Sequence, residues 1–132
     1  MISFIEGKIE YGTDKCVVVD VNGIGYKIYI SVNVFKNLPE IGNKIKLFTH
    51  LHVREDIMDL YGFLDKKDLD FFEMLISISG IGPKGAMNIL SVASVETLKK
   101  AVSKEDSTIL TKVSGIGQKT AEKIILELKS KV

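Results

Sequence analysis

The feature that most limits what this chain can fold into is an internal repeat in its second half. The segment Leu75-Ile76-Ser77-Ile78-Ser79-Gly80-Ile81-Gly82-Pro83-Lys84-Gly85-Ala86 aligns with Leu110-Thr111-Lys112-Val113-Ser114-Gly115-Ile116-Gly117-Gln118-Lys119-Thr120-Ala121, 35 residues on. Leu, Ser, Gly-Ile-Gly, Lys and Ala recur in place, so one supersecondary unit is used twice. Two copies make a single pseudo-symmetric body rather than a solenoid.

Apolar spacing around the repeat is helical. Asp65 is a cap for a helix opening at Lys66, with Asp68 in its first turn, where the helix dipole favours a carboxylate. Leu69, Phe72 and Ile76 mark one face. Ala86, Ile89 and Leu90 repeat the spacing, as do Val95, Leu98 and Val102, and then Ala121, Ile124, Ile125 and Leu128. The spacing predicts a bundle of about five short helices over residues 65–132.

Each Gly-Ile-Gly therefore falls between helices. A glycine after a helix takes positive φ without steric cost, so the chain reverses sharply. The second glycine lets backbone come close to a ligand, while Ile81 and Ile116 tuck inward and stiffen the turn. The following helix presents free N–H groups whose partial positive charge suits a phosphate oxygen. Pro83 fits the first turn, where its missing N–H costs nothing, and Lys84 and Lys119 add a full charge at the same place. Such a device touches phosphates and not base edges, so it carries no sequence preference. Gly80–Gly85 also matches GxGxxG, but that fingerprint needs a strand before it. Thr120 replaces its third glycine in the second copy. Gln118 and Lys112 likewise break the resemblance of the second copy to a phosphate-binding ATPase loop, and no nucleotide site or other cofactor is expected.

Residues 1–64 read differently. Asn22-Gly23, between Lys15–Val21 and an alternating Ile24, Tyr26, Ile28 and Ile30, is a strong hairpin signal. Ile2–Glu10 is a further strand, in which Gly7 marks a bulge or a close approach. Val32–Leu38 is a short helix stopped by Pro39. Ile45, Leu47, Thr49, Leu51 and Val53 alternate again, and Ile57–Phe63 follows across Arg54-Glu55-Asp56. Five strands with a small helix after the third suggest a closed barrel of the oligonucleotide-binding kind, with the domain boundary near Leu64.

Charge follows the same division. Residues 1–65 hold 7 Lys/Arg and 9 Asp/Glu, a balance of −2; residues 66–132 hold 11 Lys and 8 Asp/Glu, a balance of +3. The total of +1 thus hides a basic helical half, and a local patch is what a polyanion needs. No apolar run reaches the ~18 residues of a membrane span. The N-terminus lacks the marks of a signal peptide, and Cys16 is alone, which together suggest the cytoplasm. His50 and His52 share a strand face, but with one distant cysteine they make no metal set.

Taken together, the barrel and the tandem Ser-Gly-Ile-Gly hairpins resemble the RuvA family, the Holliday-junction-binding subunits of bacterial branch-migration complexes. The resemblance runs from Met1 to Val132. It is carried by Val21-Asn22-Gly23-Ile24-Gly25-Tyr26, Phe48-Thr49-His50, Val53-Arg54-Glu55-Asp56, Leu60-Tyr61-Gly62-Phe63 and Lys123-Ile124-Ile125-Leu126-Glu127-Leu128. The hairpins alone indicate only the broad helix-hairpin-helix class. The resemblance implies a homotetramer or octamer gripping four-way junction DNA in recombination and repair, near the nucleoid. It further implies a RuvB-type AAA+ motor that supplies the ATPase, room for a RuvC-type resolvase as a partner, and a non-catalytic role for this subunit.

Residue by residue, the resemblance implies an acidic pin at Glu55 and Asp56, with Arg54 beside it. The phosphate-gripping residues are Gly80, Ile81, Gly82, Pro83 and Lys84, with Gly115, Ile116, Gly117, Gln118 and Lys119; Thr120 and Lys123 stand as supports. Relatives continue into a mobile linker and a motor-binding helical domain that the sequence to Val132 does not reach. Ser3 replaces a glycine common in the family, with little consequence expected. Two other classes compete on the residues alone. A glycosylase or lyase using Asp106 needs a pocket for a flipped base, and a single-strand binder on the barrel needs exposed aromatics.

Overall fold

The computed structural model describes residues 1–131. Five strands, β1 (Phe4–Gly12), β2 (Cys16–Val21), β3 (Ile24–Tyr29), β4 (Lys44–Arg54) and β5 (Ile57–Phe63), close a barrel in the order β1-β2-β3-β5-β4. All pairings are antiparallel except β3 with β5. The helix α1 (Val32–Lys36) lies between β3 and β4. The oligonucleotide-binding barrel expected from the strand spacing is therefore the observed fold.

Period-two alternation fills the barrel. Ile5, Ile9, Val17, Val19, Ile28, Ile45 and Leu47 are all buried, alternating with outward-facing or half-buried neighbours, whereas β5 is buried without a break from Leu60 to Phe63. At the β2–β3 turn Asn22 (φ 52°) and Gly23 (φ 91°) both take the left-handed conformation that a two-residue hairpin requires. The Asp20 carboxylate accepts the Gly23 N–H at 2.7 Å.

Gly7 proves to be the close approach, and the bulge lies elsewhere. A Cβ on Gly7 would strike the backbone carbonyl oxygen of Asp20. The irregularity falls between Ile9 and Tyr11, where the register with β2 shifts. Two expectations need correction. Ile24 is exposed rather than part of the apolar set, because as the first residue after the turn it stands beyond the rim. And α1 ends at Lys36, two residues short of Leu38. Asn37 closes it with its N–H to the Val34 and Phe35 carbonyls, and Leu38 precedes a proline, which disfavours helical backbone.

Tyr61, on β5 opposite Tyr29 (ring centroids 5.6 Å), is only 5% exposed. Burial first, then the Asp59 carboxylate and Tyr29, hold its phenol above the ordinary tyrosine range. Since the folded value is raised, the unfolded chain loses this proton first as pH climbs past about 10. Stability from this group is complete below that pH and declines through the folded value. Urea unfolding of Tyr61→Phe is expected to show a shallower alkaline loss of stability than wild type from about pH 9 to about pH 11, the range that brackets a free phenol. Equal slopes would remove Tyr61 from the explanation.

The helical part comprises α2 (Lys66–Ile76), α3 (Pro83–Val92), α4 (Val95–Ser103), a 3₁₀ turn (Leu110–Lys112) and α5 (Gln118–Lys131). Asp65 accepts the Lys67 N–H at 3.2 Å, and Ser94 caps α4 by accepting the Thr97 N–H at 3.2 Å. The apolar faces named from spacing on α3, α4 and α5 are buried. On α2 the buried set also takes in Phe71 and Leu75, and Ile76 is only half-buried. Two compact units result, Met1–Asp70 and Phe71–Val132, which divide inside α2.

One helix end carried no signal in the sequence. After α4, Glu105 takes φ 53° and Asp106 donates its N–H to the Ala101 carbonyl at 2.8 Å. The Glu105 N–H reaches Val102 O at 3.1 Å. This is a Schellman closure with a glutamate where glycine is the usual occupant, so no glycine marks it.

Candidate nucleic-acid interface

Both repeats fold into the same turn. Gly80 has φ 92° and Gly115 has φ 87°, a region closed to most side chains. Each turn is locked one residue later, by Ile81 N–H to Ile78 O and by Ile116 N–H to Val113 O, both 3.1 Å. Each helix then begins identically, with Ala86 N–H to Gly82 O at 3.0 Å and Ala121 N–H to Gly117 O at 2.9 Å. Helix geometry leaves the backbone N–H groups before those alanines without intrahelical acceptors. They belong to Lys84 and Gly85 in the first copy, and to Gln118, Lys119 and Thr120 in the second.

The space beside the second glycine of each turn is open. A Cβ added to Gly82 or Gly117 would meet nothing within 4 Å. Gly82 supplies no side-chain cap to α3 and Pro83 occupies its first turn. Lys84 and Lys119 are exposed, and among the described residues neither forms an ion pair. Bare N–H groups, a dipole and an ammonium at one place favour a phosphate oxygen. Pseudo-symmetry breaks on the entering side, where the 11-residue α2 leads into the first turn but only a 3₁₀ turn leads into the second.

The two turns share one concavity of about 150 Å³, lined among others by Gly80, Ile81, Gly115, Ile116 and Thr120. Ile81 and Ile116 are half-buried there, so they tuck inward only in part. Lys123 on α5 reaches back toward the Ser79 carbonyl at 3.5 Å, and Lys131 donates to the Ser77 hydroxyl at 3.1 Å. These ties from the helix of one repeat to the turn of the other were not legible in the sequence, since neither lysine belongs to the repeated motif. Gln118 is also engaged, donating to Ser107 Oγ at 3.1 Å and to Glu122 Oε1 at 2.8 Å; what it offers outward is backbone. Because α2 precedes Gly80, GxGxxG here is a helix-to-helix turn and lacks the strand that a dinucleotide site requires.

In the barrel, Glu55 and Asp56 form the two-residue turn joining β4 to β5, whose last pair is Arg54 with Ile57. Both acids are exposed, as are Val53, Arg54, Ile57 and Met58. Arg54 donates its Nε–H to His52 Nε2 at 3.2 Å. The ring centroids of His50 and His52 lie 6.4 Å apart. Among the described residues no three His, Cys, Asp or Glu side chains gather as a metal site. Asp106 is a turn former: hydrogen bonds from the Thr108 hydroxyl and N–H hold its carboxyl below the usual range.

An oligonucleotide-binding barrel followed by paired helix-hairpin-helix turns defines the class. Comparison with known families narrows it. The RuvA N terminal domain matches residues 1–62, and the SAM-like Helix-hairpin-helix tandem matches residues 72–130. The Holliday junction branch migration complex subunit RuvA of Caldanaerobacter subterraneus subsp. tengcongensis is 52% identical over all 132 residues, which cover 71% of that protein. Its counterparts in Acetivibrio thermocellus and Brevibacillus brevis are 46% and 48% identical over the same span, 65% and 64% of their lengths. The chain belongs to the RuvA family. No helix among the described residues is long and apolar enough to cross a membrane.

Proposed function

We propose that this chain is the junction-gripping part of a branch-migration complex. Its barrel domain, residues 1–64, carries the pin Glu55 and Asp56 with Arg54 beside it. Its helical domain, residues 65–132, holds phosphates at the two turns and with Lys84, Lys119, Thr120 and Lys123. The observation that carries this reading is the duplicated turn, alike in φ, in hydrogen bonding and in the open space beside its second glycine. Relatives sharing about half of the residues are named as Holliday junction branch migration complex subunits, which supports four-way junction DNA as the ligand. The subunit works as a homotetramer, or as two tetramers, without a catalytic site or cofactor. The hydrolysis of ATP belongs to a RuvB-type AAA+ motor, with a RuvC-type resolvase acting on the same DNA in the cytoplasm. A native gel comparing junction, duplex and single strand tests this: the junction is expected to bind tightest, and equal retention of junction and duplex would refute the reading.

The pin sets structural selectivity on this reading. A continuous duplex laid over Glu55 and Asp56 would bring phosphates near their carboxylates. Each like-charge pair costs about 1 kcal/mol at 4 Å in water, and more where solvent is excluded. An open junction avoids most of that repulsion. Glu55→Gln with Asp56→Asn is therefore expected to strengthen duplex binding several-fold and to narrow the junction-to-duplex ratio. Raising salt should narrow the wild-type ratio in the same direction. A competition titration with both DNAs at two ionic strengths measures this, and an unchanged ratio in the double variant returns both acids to ordinary turn residues.

A further inference from the structure

The outer face of the barrel along β1 and β4 combines rings and cations in cross-strand register. Phe4 stands opposite Phe48, Glu6 opposite Lys46, and Lys8 opposite Lys44. The residues between them, Ile5, Ile45 and Leu47, are buried, so strand alternation turns this row to solvent. Phe4 is 55% exposed. The Lys46 ammonium lies 4.4 Å from the centre of the Phe4 ring and 5.3 Å from that of Phe48. Lys44 reaches Glu6 at 3.7 Å. Three lysines stand against Glu6 along β1 and β4 and against Asp20, which faces Lys8 from β2, so the balance stays positive.

An exposed ring, Phe4, and a half-buried one, Phe48, beside ammonium groups have the chemistry that unpaired nucleotides require. Every base has a π-face that stacks on an aromatic side chain, and lysines at the platform edge meet the backbone. A duplex keeps its bases stacked internally and offers only phosphates to such a surface. We propose that the β1–β4 face is a second nucleic-acid site, taking single-stranded DNA by stacking a base on Phe4 and Phe48 while Lys46, Lys44 and Lys8 meet its phosphates. The site shares no residue with the turns or the pin, so it stands or falls apart from the junction reading.

The test is fluorescence anisotropy of a labelled oligothymidine in a Lys84→Ala/Lys119→Ala background, which leaves the barrel face intact. Adding Phe4→Ala with Lys46→Ala is expected to weaken oligothymidine binding about tenfold. Phe4→Trp is expected to hold or strengthen it. With the turn lysines restored, the Phe4→Ala/Lys46→Ala variant is expected to bind a four-way junction within about twofold of wild type, since a loss of stacking at this face touches no duplex arm. An oligothymidine affinity unchanged by the Phe4 and Lys46 substitutions would overturn the proposal. So would a drop in particle mass on light scattering with the same variant, which would assign the face to contact between copies of the chain.

Discussion

Gly7→Ala is expected to destabilise the barrel by about 3 kcal/mol or more, at the upper end of what an added methyl does in a packed interior. The added carbon would run into the carbonyl of Asp20 and crowd Val19. That carbonyl belongs to β2, which is paired with β1 on one side and β3 on the other. Relief therefore requires moving a strand held in a closed barrel, not rotating a side chain. Gly23→Ala is the informative control. Its Cβ would meet nothing within 4 Å, but its φ of 91° is strained for alanine, a cost of about 1–2 kcal/mol. Urea titration of both variants should give the larger midpoint shift for Gly7→Ala. The reverse order would mean that conformational strain, and not strand contact, explains why glycine is needed.

Lys84→Ala with Lys119→Ala is expected to weaken junction binding by at least roughly a hundredfold near physiological salt, since two charge-assisted hydrogen bonds at the low end of about 1.5–3 kcal/mol each already amount to about 3 kcal/mol. The log–log salt dependence should flatten by about 0.9 for every phosphate no longer neutralised. The turns keep their glycines and backbone N–H groups in this variant, so residual binding should remain. A full-strength variant with an unchanged slope would assign both lysines to solubility alone.

How much of this was open to a reader of the sequence depends on how local each signal is. Asn22-Gly23 announces its hairpin because few residues tolerate two successive positive φ values. The turns at Gly80 and Gly115 were legible because the motif is duplicated, and a second copy at fixed spacing constrains the first. Glu105 was not legible, since its left-handed backbone is imposed by closure of α4 rather than by residue type. The same holds for Lys123 and Lys131, which meet Ser79 and Ser77 across 44 and 54 residues. Nor did alternation alone distinguish Ile24, outside the rim, from Ile28 within it. Phe4 illustrates the converse: period two assigns it outward, but only the register with β4 sets it beside Phe48 and Lys46.

On the proposed function the paired turns hold the DNA backbone of a four-way junction without reading bases. The most direct measurement is an equilibrium titration of two junctions with unrelated arm sequences over a salt series, with matched linear duplexes as competitors. The expected result is one affinity and one steep salt slope for both junctions, each bound more tightly than its duplex. A difference of about tenfold or more between the two junctions, the scale of one mismatched base pair, would contradict the account.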